Sequence, residues 1–124
     1  MRWRLTVRAG PKVKRQAFGG LDEALDALEQ RARELADSAS ESNQGFDAKI
    51  RRFEPVERVS ARLEVSGPER LVPSVRAGVD VRGDGSVEAY RGRVKRQVIE
   101  ARKGESTYAA LRRELASETE ASGA

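Results

Sequence analysis

The chain has 124 residues, 38% hydrophobic and 35% charged, with a formal net charge of +4; that is enough for one compact domain and too few for two ordinary ones. It contains neither cysteine nor histidine, which excludes disulfides, thiolate chemistry and imidazole acid–base or metal-ligand roles. No apolar run is long enough to span a bilayer, and the N-terminus Met1-Arg2-Trp3-Arg4 lacks the apolar core of a signal peptide, so the expectation is a cytoplasmic protein with no membrane partner.

Residues 2–9 alternate, with Trp3, Leu5 and Val7 on one side and Arg2, Arg4, Thr6 and Arg8 on the other. That period of two predicts a half-buried strand with Trp3 as a core anchor. Gly10-Pro11 predicts a turn, and residues 12–18 a second strand, so the segment reads as a hairpin with a basic outer face. After Gly19-Gly20, Leu21, Ala24, Leu25, Leu28, Ala32 and Leu35 recur at helical spacing, with Asp22 and Glu23 at the favourable N-terminal end; a helix is predicted at about 21–37. The small, polar stretch 37–45 reads as a loop.

Residues 47–54 are expected to form a short strand and 59–65 a firm one. Val75, Ala77, Val79 and Val81 alternate in another, and Gly83-Asp84-Gly85-Ser86 carries hairpin turn chemistry. Residues 87–99 are read as its return strand, with Val87, Ala89, Val94 and Val98 inward and Gly92 as a bulge or bend. Ser106 or Thr107 caps a final helix with Tyr108, Leu111 and Leu115. Residues 1–117 are then a single domain and 118–124 a frayed tail.

The predicted fold class is α+β: an antiparallel sheet of about five strands with two helices packed on one face. Two four-residue phrases occur twice in the same order, Val7-Arg8-Ala9-Gly10 with Val13-Lys14-Arg15-Gln16, and Val75-Arg76-Ala77-Gly78 with Val94-Lys95-Arg96-Gln97. They raise the reading of a duplicated β-β-α unit.

Charge is unevenly spread. Residues 1–20 hold six basic groups and no acid, and residues 91–103 hold six against Glu100 alone. If helices cover the apolar face, arginines in the alternate phase line an open one, a surface suited to nucleic-acid phosphates. Tyr90, out of phase with Val87 and Ala89, would offer a stacking platform there. The residues expected to carry binding are Arg4, Arg8, Lys14, Arg15, Arg93, Lys95 and Arg96. The plainer reading is a solvated strand face whose charges provide solubility and blunt the edges. Arginine outnumbers lysine 19 to 5, as GC-rich coding also produces, so the type of cation is weak testimony by itself.

Arg82-Gly83-Asp84 reads as a hairpin turn rather than a recognition tripeptide. Asp80, Asp84 and Ser86 supply too few oxygens for a calcium loop. Asp22, Asp26 and Glu29 share a helix face, solvated or receiving the basic strands of a second copy. No phosphate loop, serine elbow or dinucleotide fingerprint is present. The sequence therefore points to a small non-enzymatic binding module without a cofactor or metal, its basic strand face meeting DNA or RNA. The alternative is a protein-interaction or self-assembly subunit, in which the same residues meet an acidic protein or another copy.

Overall fold

The computed structural model describes residues 2–44, 59–68, 75–92 and 95–123. Strands β1 (Trp3–Ala9) and β2 (Lys12–Phe18) form where the alternation predicts. Ala9 lies opposite Lys12, which makes Gly10-Pro11 a two-residue turn. Gly10 takes φ +59 and proline holds the next φ at about −65°; glycine in the first central position is what such a tight hairpin turn requires.

Helix α1 (Leu21–Gln44) continues well past its predicted end at 37. The continuation has a packing cause. Ala39 is buried, and Gly85, at φ +89, brings the β4–β5 turn so close that a Cβ there would stand 2.9 Å from the Ala36 carbonyl oxygen and from Ser40 Cβ. Small side chains that read as loop composition are the ones that admit this approach, and tertiary contact outweighs local propensity.

Strand β3 (Val59–Gly67) follows, then β4 (Val75–Arg82), β5 (Val87–Arg91), β6 (Gln97–Ile99) and α2 (Thr107–Gly123). The strand expected within 47–54 lies outside the described residues. The described strands form one six-stranded sheet in the order β2-β1-β3-β4-β5-β6, each pair antiparallel.

The sixth strand corrects the sequence reading, which ran one return strand from 87 to 99. Gly92, at φ +128, lets the chain double back until a Cβ at that position would collide with the Lys95 carbonyl. Only glycine fits such a bend, and β6 then pairs with β5, Ala89 opposite Ile99 and Tyr90 opposite Val98. The reversal puts Ile99 inward and leaves Val98 exposed, contrary to the inward placement expected for Val98.

One apolar cluster unites the alternate-phase strand residues with the helices. Trp3, Leu5, Leu63 and Val79 meet Leu25 and Leu28 of α1 and Leu111 and Leu115 of α2. A fully buried Leu or Val side chain contributes about 1.5–3 kcal/mol, so this layer supplies most of the drive to fold. The two helices are also tied by charge: Arg112 of α2 reaches Asp26 at 2.7 Å and Glu29 at 3.5 Å, and Arg33 stands 4.7 Å over the Tyr108 ring. No described helix is long and apolar enough to cross a membrane.

The repeated phrases occupy different settings. Val7-Arg8-Ala9-Gly10 ends a strand in a turn, whereas Val75-Arg76-Ala77-Gly78 opens β4 with Gly78 in mid-strand. Val13–Gln16 lies within β2, while Lys95 and Arg96 belong to the approach to β6.

Candidate functional site

Directly opposed residues of antiparallel strands project to the same side, so the register sorts the sheet into an apolar face and a polar one. Three rows cross the polar face. The first runs Val13, Arg8, Arg62, Asp80, Glu88. The second runs Arg15, Thr6, Glu64, Gly78, Tyr90, Val98. The third runs Ala17, Arg4, Ser66, Arg76.

The middle of this face is a closed ionic network. Asp80 is fully buried although its side chain lies on the polar side. It accepts from Arg62 Nε at 2.7 Å and Nη2 at 3.3 Å, and from Arg96 Nη2. A buried carboxylate persists only when paired in this way, and removing a partner costs about 3–5 kcal/mol. The same pairing raises the Arg62 pKa, chiefly through the hydrogen bond to Asp80.

Tyr90 lies beneath those arginines. The Arg96 guanidinium is 4.4 Å from its ring centroid and that of Arg62 5.7 Å. Its hydroxyl donates to Glu64 Oε1 at 2.8 Å, crossing β4 at Gly78, where no side chain obstructs the ring. Burial first, and then the nearby Glu64, push the phenol far above its ordinary pKa. Glu64 also meets Arg76 at 3.5 Å, and Glu88 meets Arg82 at 2.9 Å.

The β1–β2 end is different. Arg4, Arg8 and Arg15 are exposed on the polar face. Arg15 stands opposite Thr6, so it projects between Arg4 and Arg8, which are about 13 Å apart along β1 at about 3.3 Å per residue. Among the described residues no carboxylate pairs with Arg8 or Arg15. Strand β2 is the sheet edge, and every residue from Lys12 to Ala17 is exposed.

The structure thus brings some of the expected residues together and separates others. Arg4, Arg8 and Arg15 share one face. Lys14, next to Arg15 and opposite Val7, projects to the other side of the same edge. Arg93 lies outside the described residues. Lys95 is exposed on the β5–β6 connection. Arg96 is on the polar face and exposed, but its guanidinium is committed to Asp80 and Tyr90. Arg91 faces the apolar side and meets Glu114 of α2 at 3.2 Å.

Tyr90 is 3% exposed, so its ring is roofed and not the open platform its phase implied. Asp26 and Glu29 are engaged by Arg112, and Glu29 by Arg33, within the chain. Arg82-Gly83-Asp84 is the β4–β5 turn, where Asp84 Oδ1 accepts from the Ser86 hydroxyl at 2.6 Å and its amide at 2.9 Å; these bonds hold the Asp84 carboxyl below its usual range. Among the described residues no cluster of acids gathers to hold a metal.

The residues that sequence reasoning missed are Arg62, Glu64 and Asp80. The available signal was Asp80 itself, a lone acid between Val79 and Val81 in the buried middle of β4. Its partners become visible only with the register. Compared with family models, curated proteins and solved structures, the chain matches none. The site is described by its own chemistry: three exposed arginines at one end of a sheet whose centre is already neutralised.

Proposed function

We propose that this chain is a small, non-enzymatic binding module whose β1–β2 end contacts the phosphates of a nucleic acid. In this reading both helices cover the apolar face and leave the polar face to the ligand. The observation that supports it best is the exposure of Arg4, Arg8 and Arg15 on one face of a segment that contains no acid between residues 1 and 20. Arginine brings paired donors matched to phosphate oxygens. Lys14, on the opposite side of the edge, adds charge to a backbone running along β2. Lys95 and Arg96 are peripheral to this reading, since Arg96 already has its counter-ions. With Tyr90 roofed, the contact is to phosphates rather than to stacked bases, and little sequence preference is expected.

The test is retention on duplex DNA and on RNA across a salt series. Log affinity should fall linearly with log salt, and alanine at Arg4, Arg8 or Arg15 should each reduce the slope by about 1. Absence of retention in dilute buffer overturns the reading. A second reading, contact with an acidic protein or a second copy, draws on the β2 edge, which pairs with no further strand among the described residues and carries the exposed Val13. It predicts a mass that rises with concentration in sedimentation, or capture of an acidic protein that survives nuclease treatment.

A further inference from the structure

Arg8 and Arg62 stand directly opposite each other on the polar face of β1 and β3. Opposed residues in such a pair have Cβ atoms about 4.5–5.5 Å apart, and like charges there repel. Asp80 offsets part of this repulsion on the Arg62 side, where it raises the pKa, and leaves the Arg8 charge without an acid of its own among the described residues. Asp80 takes Nε and Nη2 of Arg62, but it is shared with Arg96, and among the described residues no acid pairs with Arg8. The Arg62 side chain nonetheless remains 43% exposed. The hydrogen bonds to Asp80 fix the plane of its guanidinium while leaving Nη1 without a bond to that carboxylate.

We propose that Arg8 and Arg62 form a two-arginine clamp for one phosphate group, with Asp80 positioning Arg62. The clamp deepens the phosphate-contact reading above by adding a residue that the basic-segment pattern did not include. Its ligand chemistry is a tetrahedral oxyanion with oxygens for both guanidinium groups, which removes the repulsion between them. A phosphodiester of a nucleic-acid backbone and a free phosphate compound both supply it. Arg15, two residues along β2 from Val13 and therefore in the adjacent row, stands where the next charge of an extended polyanion would arrive.

Pyrophosphate and duplex DNA distinguish these sources and separate the clamp from the wider reading. At constant ionic strength set by chloride, pyrophosphate should raise the unfolding midpoint of the wild-type chain saturably. The rise should persist in R31A, which removes an equal charge on α1, and vanish in R8A and R62A. On DNA, R8A, R62A and the double variant should reduce the salt slope by the same amount, about 1, because both arginines serve one phosphate.

Asp80→Asn gives the reading that a purely structural or purely electrostatic role would not. It adds net positive charge, so electrostatics alone tightens pyrophosphate binding; loss of positioning weakens it, and weakening is expected. Should R62A or D80N fail to fold, R62K retains a donor for Asp80 but not the fork, and it should weaken pyrophosphate binding at least about tenfold. The clamp is overturned if pyrophosphate leaves the wild-type midpoint unchanged, if R62A keeps the wild-type response, or if the double variant lowers the slope by twice the single amount. A pyrophosphate response without DNA retention sustains the clamp and removes the nucleic-acid reading. DNA retention with an indifferent R62A does the reverse.

Discussion

Gly78 shows how one missing side chain organises the polar face. A Cβ there would collide with the Leu63 carbonyl oxygen, because β3 and β4 approach closely at that point. The same gap lets the Tyr90 side chain cross β4 to Glu64. A strand glycine of this kind marks close backbone approach rather than flexibility. Gly78→Ala should therefore destabilise the chain by about 1–3 kcal/mol, read as a lower urea midpoint with unchanged slope. Arg8 has the opposite character. Replacing it with threonine removes a like-charge pair with Arg62 and introduces a residue suited to strands. Arg8→Thr should raise stability by about 0.5 kcal/mol in the same titration, a gain at the expense of anion affinity.

Among the elements, α2 depends most on ionisation at its start. Ser106 Oγ accepts the Ala109 amide at 3.0 Å, the capping role its sequence position predicts. Glu105 accepts from Arg113 at 3.0 and 3.1 Å and from the Arg102 amide at 2.9 Å, and Arg113 also donates to the Glu100 carbonyl at 3.2 Å. Chiefly through the Arg113 bond, the Glu105 carboxyl falls from the ordinary 4.5 to about 2. A depressed carboxylate stabilises the fold above its unfolded value, and that contribution is lost as pH falls through the folded one. The difference in thermal midpoint between the wild type and Glu105→Gln should thus be full above pH 4.5 and shrink toward pH 2. The elements also show where sequence reading succeeds. Burial on one side of a strand writes a period of two into Trp3-Leu5-Val7 and Val75-Ala77-Val79. The far end of α1 left no such mark, because its Ala and Ser residues are chosen by the turn they accommodate. Gly92 was legible as a bulge or bend, but not as the reversal that pairs β6 back on β5.

At the level of the whole molecule, the faces were legible and the neighbours were not. Alternation alone assigns Arg4 and Arg8 to the side opposite Trp3 and Leu5, as found. Which cations meet acids depends on strand order and register, and those follow from packing and turns. Arg62 and Arg96 are 34 residues apart in the chain yet share the Asp80 carboxylate. Two basic segments similar in composition consequently differ in availability: the N-terminal hairpin keeps Arg8 and Arg15 uncommitted among the described residues, while Arg91 and Arg96 are bound within the chain.

The tight seating of Gly85 against Ala36 and Ser40 has a practical corollary. A hairpin tip is the customary place to splice in an epitope or attach a dye, since such loops generally stand clear of the body. Here the β4–β5 tip is wedged under the helix, and a bulky graft would lever α1 away from the sheet. At the β1–β2 tip the space around Gly10 is open, provided a replacement tolerates its backbone. A reporter that must leave the architecture undisturbed belongs beside Pro11, and the two loops are not equivalent handles on this molecule.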